Sequence, residues 1–143
     1  MSKRRLICIL EAILLLLLAT GCDFFKSDFP IDGFTDKLVE ALKDEYGITI
    51  PDSAEFIKGN IYCGFQDPSI TIYFTLPEDC VEPMLSSDWE VSTTATTVIN
   101  ETAADKTWYK SVKRTGYLFV TQPEDGLVTA LLSGDNPSPK WLD

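Results

Sequence analysis

Two tight carboxylate pairs stand outside the turns, Asp79 with Glu82 and Asp88 with Glu90. Paired acids are the minimum equipment of a carboxylate-dependent hydrolase, one as general acid and one as general base or nucleophile. The same spacing describes a helix cap, and Asp79 with Glu82 has capping-box spacing. The chain contains no histidine. That removes imidazole general bases, Ser–His and Cys–His nucleophile pairs and histidine-ligated zinc. Calcium needs six to eight oxygen ligands, usually from a defined loop, and no D-x-D-x-D-G run occurs. The sequence thus names no catalytic, cofactor-binding or metal-binding residue, and its main expectation is a non-catalytic binding or adaptor domain.

Aromatic side chains are favoured anchors in interfaces. Trp108 and Tyr109, with Trp89 and Trp141 as companions, are the candidate partner contact. The competing reading is that each tryptophan fills the core. The partner is then an envelope protein or a peptide, or, as an alternative, a glycan stacked on the tryptophans.

Met1–Cys22 has a different character. Lys3, Arg4 and Arg5 precede an apolar run from Leu6 to Ala19, and the run ends at Thr20-Gly21-Cys22. Positive, then apolar, then small residues is the layout of a secretory signal. The run is short for a span of about 20 apolar residues, and it contains Glu11. With Leu18 just before it, Ala19-Thr20-Gly21-Cys22 resembles the lipobox of bacterial lipoproteins; it departs at Ala19, where leucine is commonest. The resemblance covers the leader only. It implies removal of residues 1–21, lipidation of Cys22, and a chain held on the bacterial cell membrane facing outside the cytoplasm. Two or more acyl chains hold a protein stably where one does so only reversibly. In lipoproteins of double-membraned bacteria, an Asp after the cysteine, here Asp23, tends to mean retention at the inner membrane.

Removing the leader takes away Lys3, Arg4, Arg5 and Glu11, leaving nine basic against twenty-one acidic residues, a net charge near −12. Such a surface is repelled by phosphate backbones, which argues against nucleic acid as a partner. About 120 residues suffice for one domain with its own core.

Residues 22–33 read as the lipidated N-terminus and a short tether, broken by Pro30 and Gly33 and reaching about 36 Å at about 3.3 Å per residue. Phe24, Phe25 and Phe29 either dip into the membrane interface or cover an edge of the fold; Phe29 lies close enough to the first helix to favour the second. Residues 34–143 read as a single α+β domain. Phe34, Leu38, Leu42 and Tyr46 recur every four residues behind a Thr35 cap and before Gly47, which predicts a helix. Phe56–Phe65, with Ile57 facing inward, and Ile70–Leu76 alternate as a hairpin. A short helix over Cys80–Ser87 and a strand starting at Trp89 follow. Thr93–Lys113 has no clear pattern. Gln122-Pro123-Glu124-Asp125-Gly126 joins two further strands, with Asp-Gly as the turn signal. The order is α-β-β-α-(β)-β-β, a mostly antiparallel sheet with two helices packed on one face. Cys63 and Cys80 fall toward opposite ends of this hairpin, beyond the roughly 7 Å that a disulfide allows between Cα atoms. Both are expected to be free and mostly buried.

Overall fold

The computed structural model describes residues 9, 11, 13, 28–64, 67–93, 97–99 and 102–143. Cys22, nearly all of the leader, Phe24, Phe25 and the turn residue Gln66 lie outside them. Among the described residues, no helix is long and apolar enough to cross a membrane.

Thr35 has extended backbone, and its hydroxyl accepts a 3.2 Å hydrogen bond from the Leu38 amide. This cap opens helix α1, Asp36–Ala41, whose last turns, Leu42–Tyr46, widen to a π-helical winding. Gly47 ends it in the left-handed conformation, as the sequence predicts. Leu38, Leu42 and Tyr46 are fully buried. A second, shorter helix follows one 3-10 turn at Glu78–Cys80; α2 is Val81–Met84 and buries both of those end residues. Neither start has a side-chain cap, so Asp79 and Glu82 do not form the expected capping box.

The strands are β1 (Asp28–Ile31), β2 (Glu55–Tyr62), β3 (Ser69–Pro77), β4 (Glu90–Ser92), β5 (Val98–Ile99), β6 (Thr102–Ala103), β7 (Lys106–Lys110), β8 (Gly116–Val120) and β9 (Leu127–Asp135). Seven of them make one antiparallel sheet in the order β1-β2-β3-β9-β8-β7-β4, while β5 and β6 pair separately. The fold is α+β, and the chain order is richer than the sequence reading: a strand precedes α1, and three strands occupy the stretch that showed no pattern.

Two expectations are corrected. Asp28–Ile31 is not tether but an edge strand, paired with Gly59–Tyr62. Phe29 packs against the core, as expected. In β2 the register shifts between Phe56 and Lys58, so Phe56 turns inward and Ile57 is 46% exposed. Such a bulge puts one extra residue on a strand and reverses the faces beyond it.

Alternation sorts the sheet into two faces. Ile70, Ile72, Phe74 and Leu76 of β3 pair across to Gly134, Leu132, Ala130 and Val128 of β9. On β8 and β7 the same face carries Leu118, Val120 and Trp108. These side chains share one core with Leu38, Leu42 and Tyr46 of α1 and Val81 and Met84 of α2. The other face carries Tyr73, Leu131, Phe119, Tyr117 and Tyr109. Ile99 is buried there against Phe119 and Leu131, so the β5–β6 pair covers part of that face.

Cys63 and Cys80 are free thiols, each half-buried rather than mostly buried. They sit just beyond the two opposite ends of the hairpin. Burial pushes the Cys63 thiol up.

Candidate functional site

The β8–β9 turn is a two-residue hairpin. Asp125 and Gly126 have φ of 52° and 78°, and Glu124 and Leu127 exchange backbone hydrogen bonds of 2.8 and 3.0 Å. Two positive φ values in succession demand the Asp-Gly that stands here. The Gly126 carbonyl then accepts a 3.0 Å bond from the Glu78 amide. This bond ties the hairpin loop to the 3-10 turn that leads into α2. The Asp105 amide donates to the Val120 carbonyl at 2.9 Å, placing the start of β7 beside the end of β8.

These anchors enclose a groove of about 500 Å³ between α2 and one end of the sheet. That is well within the usual range of ligand sites, which are mostly apolar with a few placed polar groups. Val81, Trp108, Val120 and Val128 supply the apolar lining, with Pro83 and Pro123 beside it. Glu78, Asp79, Glu82 and Asp105 bring four carboxylates and Lys106 one ammonium. The Lys106 ammonium lies 4.5 Å from the centroid of the Trp108 ring and 3.1 Å from Glu82 Oε1. Trp108 is only 6% exposed.

The four aromatic residues expected to form a contact surface do not share one. Trp89 is buried, and its indole N–H donates to the Tyr46 carbonyl at 2.8 Å. Trp141 meets the Tyr46 ring edge-on at 6.0 Å. Trp108 lies under Lys106 in the groove. Tyr109 is on the opposite face, tilted over Tyr117 at 4.9 Å. Of the two acid pairs, Asp79 and Glu82 both reach the groove, while Glu90 pairs with Tyr109 across β4 and β7 and Asp88 stands exposed in the preceding turn. Glu78, Asp105, Lys106 and Pro123 were missed. The Lys-x-Trp alternation of Lys106-Thr107-Trp108 was the available signal, once the segment is read as a strand.

The opposite end of the core face is sealed. Gly134 lies against the Tyr46 ring so closely that an added Cβ would come 2.5 Å from a ring carbon. The Tyr46 hydroxyl donates to the Asp135 carbonyl, and burial pushes its phenol pKa far up. Arg114 bonds Glu45 and the Asn136 carbonyl, and its guanidinium lies 5.5 Å from the Trp141 ring centre. The Arg114 hydrogen bond holds the Glu45 carboxyl below its usual value, against a smaller opposing effect of burial.

Compared with protein-family models, with curated proteins and with solved structures, the chain matches none. Among the described residues no group of three or more His, Cys, Asp or Glu is placed to hold a metal ion.

Proposed function

We propose that this chain is a bacterial lipoprotein, anchored through lipid on Cys22 outside the cytoplasm, whose domain is a non-catalytic binding module for an envelope protein or peptide. The groove beside α2 carries the reading: an apolar cleft of about 500 Å³, rimmed by charge and walled by a tryptophan. Both helices belong on one face of the sheet, a reading supported by their shared core with β3 and β9. Because β1 starts at Asp28, the link from Cys22 spans at most about 20 Å at about 3.3 Å per residue. The partner is therefore met closer to the bilayer than the sequence reading implied.

Two measurements test this. Cys22→Ser is expected to abolish metabolic lipid labelling and release the protein from the membrane fraction; a variant that stays membrane-bound overturns the anchor. A photo-crosslinking phenylalanine analogue at Asp79 or Pro123, in cells, is expected to give a discrete adduct. The same group at Glu40, an exposed position on α1, is expected to give none. Adducts from both sites alike, or from neither, overturn the groove as the binding site.

A glycan-binding module is the second reading, and the other face favours it. Tyr109, Tyr117 and Phe119 stack in series there, with ring centroids 4.9 and 5.7 Å apart. A hollow of about 280 Å³ opens beside Tyr117. Loss of binding to isolated envelope glycans on Tyr117→Ser, with the groove variants silent, would favour it over the groove.

A further inference from the structure

The groove's chemistry narrows its occupant, on the reading that it is a binding site. Four carboxylates face one ammonium along its lining. That ammonium already sits where a cation is recognised: over an indole face, with a carboxylate at 3.1 Å. The chain's own Lys106 therefore occupies the position a ligand cation would take. Its side chain is 41% exposed and that of Glu82 is 73% exposed, so swinging Lys106 out to water breaks a surface ion pair and a cation–π contact, both weak at exposed positions. The departure uncovers the Trp108 ring and leaves four carboxylates without a local counter-cation from the groove lining.

We propose that the groove takes a lysine or arginine side chain of a polypeptide partner, flanked by apolar residues, which displaces Lys106 from Trp108 and Glu82. The acidic surface favours that sign of charge at long range, because summed potentials steer oppositely charged ligands toward the site. The apolar lining supplies the second half of the argument. Val81, Val120 and Val128 gain from a ligand that brings apolar surface beside its cation. A free polyamine, charged along its whole length, leaves them uncovered. An acidic ligand meets four carboxylates.

Calorimetry on the full lipidated chain in nonionic detergent tests this, with a short capped peptide bearing one lysine between leucine and valine. The same peptide with glutamine in place of lysine is the control, and spermidine is the polyamine probe. The lysine peptide is expected to bind about tenfold tighter than the glutamine peptide, and to weaken as salt rises. Lys106→Gln is expected to raise its affinity about threefold by vacating the indole, a sign opposite to that of simple structural damage. Glu82→Gln combined with Asp105→Asn is expected to lower it about tenfold. Equal binding of the glutamine peptide overturns cation recognition while leaving the groove as a site. Spermidine binding as tightly as the peptide overturns the polypeptide assignment. If no probe binds but crosslinks still form from Asp79, this inference fails and the binding-module reading stands; loss of the crosslinks as well removes both.

Discussion

Lys106 and Lys110 point to the same face of β7, yet Lys110 is buried and Lys106 stands in an open groove. Around Lys110 the fold is closed. The C-terminus of α1 ends beside it, Trp89 and Tyr46 fill the adjoining space, and Trp141 closes over Tyr46. Around Lys106, among the described residues, no ring pairs with Trp108, and the Lys106 ammonium lies over its indole instead. The difference follows from helix length. α1 and its π-helical extension run from Asp36 to Tyr46, while α2 is a single turn of Val81–Met84. At about 1.5 Å per residue, four residues advance only about 6 Å. Completing a core and leaving a groove open are thus done by two helices of different length.

If the closed end is architecture, breaking it is costly. Tyr46→Ala removes a fully buried ring that packs against Gly134 and Trp141. It is expected to cost about 3 to 5 kcal/mol, the usual range for emptying an aromatic core site. Gly134→Ala attacks the same contact from the other side, by overpacking, and is expected to cost about 1 to 3 kcal/mol. Urea denaturation of both variants, monitored by far-UV circular dichroism, reads these losses. A change below about 1 kcal/mol for Tyr46→Ala would mean that this end is no better packed than the groove.

The ion pair of the closed end gives a smaller effect with a defined pH dependence. Glu45 accepts from Arg114 and lies 3.9 Å from Lys113, with its side chain 28% exposed. Its folded pKa is depressed below 4.5, so the pair stabilises the fold fully above that value. The contribution is lost as pH falls through the lower folded pKa. Glu45→Gln is expected to be about 0.5 to 1 kcal/mol less stable at pH 7, and the gap to the unaltered chain should close as the solution is acidified below about pH 4. A gap that persists unchanged into acid would place its origin in packing instead.

The sequence announced some of this plainly. Thr35, the four-residue spacing of Leu38, Leu42 and Tyr46, and Gly47 define α1 locally, and the alternation of Ile70, Ile72, Phe74 and Leu76 defines β3. Asp125-Gly126 identifies its turn by backbone demand alone. The rest depended on distant neighbours. Pro30 made β1 look like tether, yet proline is tolerated on an edge strand, and β1 is one. Lys106 and Lys110 broke the apolar alternation of β7 because its core face carries two lysines around one tryptophan. The groove was the least legible feature. Its lining joins the approach to α2, the start of β7 and the loop after β8. Only the pairings of β3 with β9, β9 with β8 and β8 with β7 bring these together, and nothing in a single segment encodes that register.

The two lysines themselves supply the finest distinction. Burial lowers the Lys110 pKa from 10.5, with nearby Asp88 and Glu45 pulling the other way. A depressed lysine pKa means that the protonated form is disfavoured in the fold, so stability rises as pH climbs from that folded value toward the unfolded one. Lys110→Met keeps the alkyl bulk and removes the ammonium; it is expected to gain up to about 1 kcal/mol at pH 7 and to lose that alkaline rise. Lys106→Met makes the same chemical change on the same strand face, where the side chain is 41% exposed. It is expected to change stability by less than about 0.5 kcal/mol, the usual limit for surface positions. Thermal unfolding of both variants from pH 7 to 10.5 separates them. Matching pH profiles would erase the contrast between the two ends, whereas a Lys110→Met profile without the alkaline rise beside a Lys106→Met profile that keeps it would place the rise at the buried lysine.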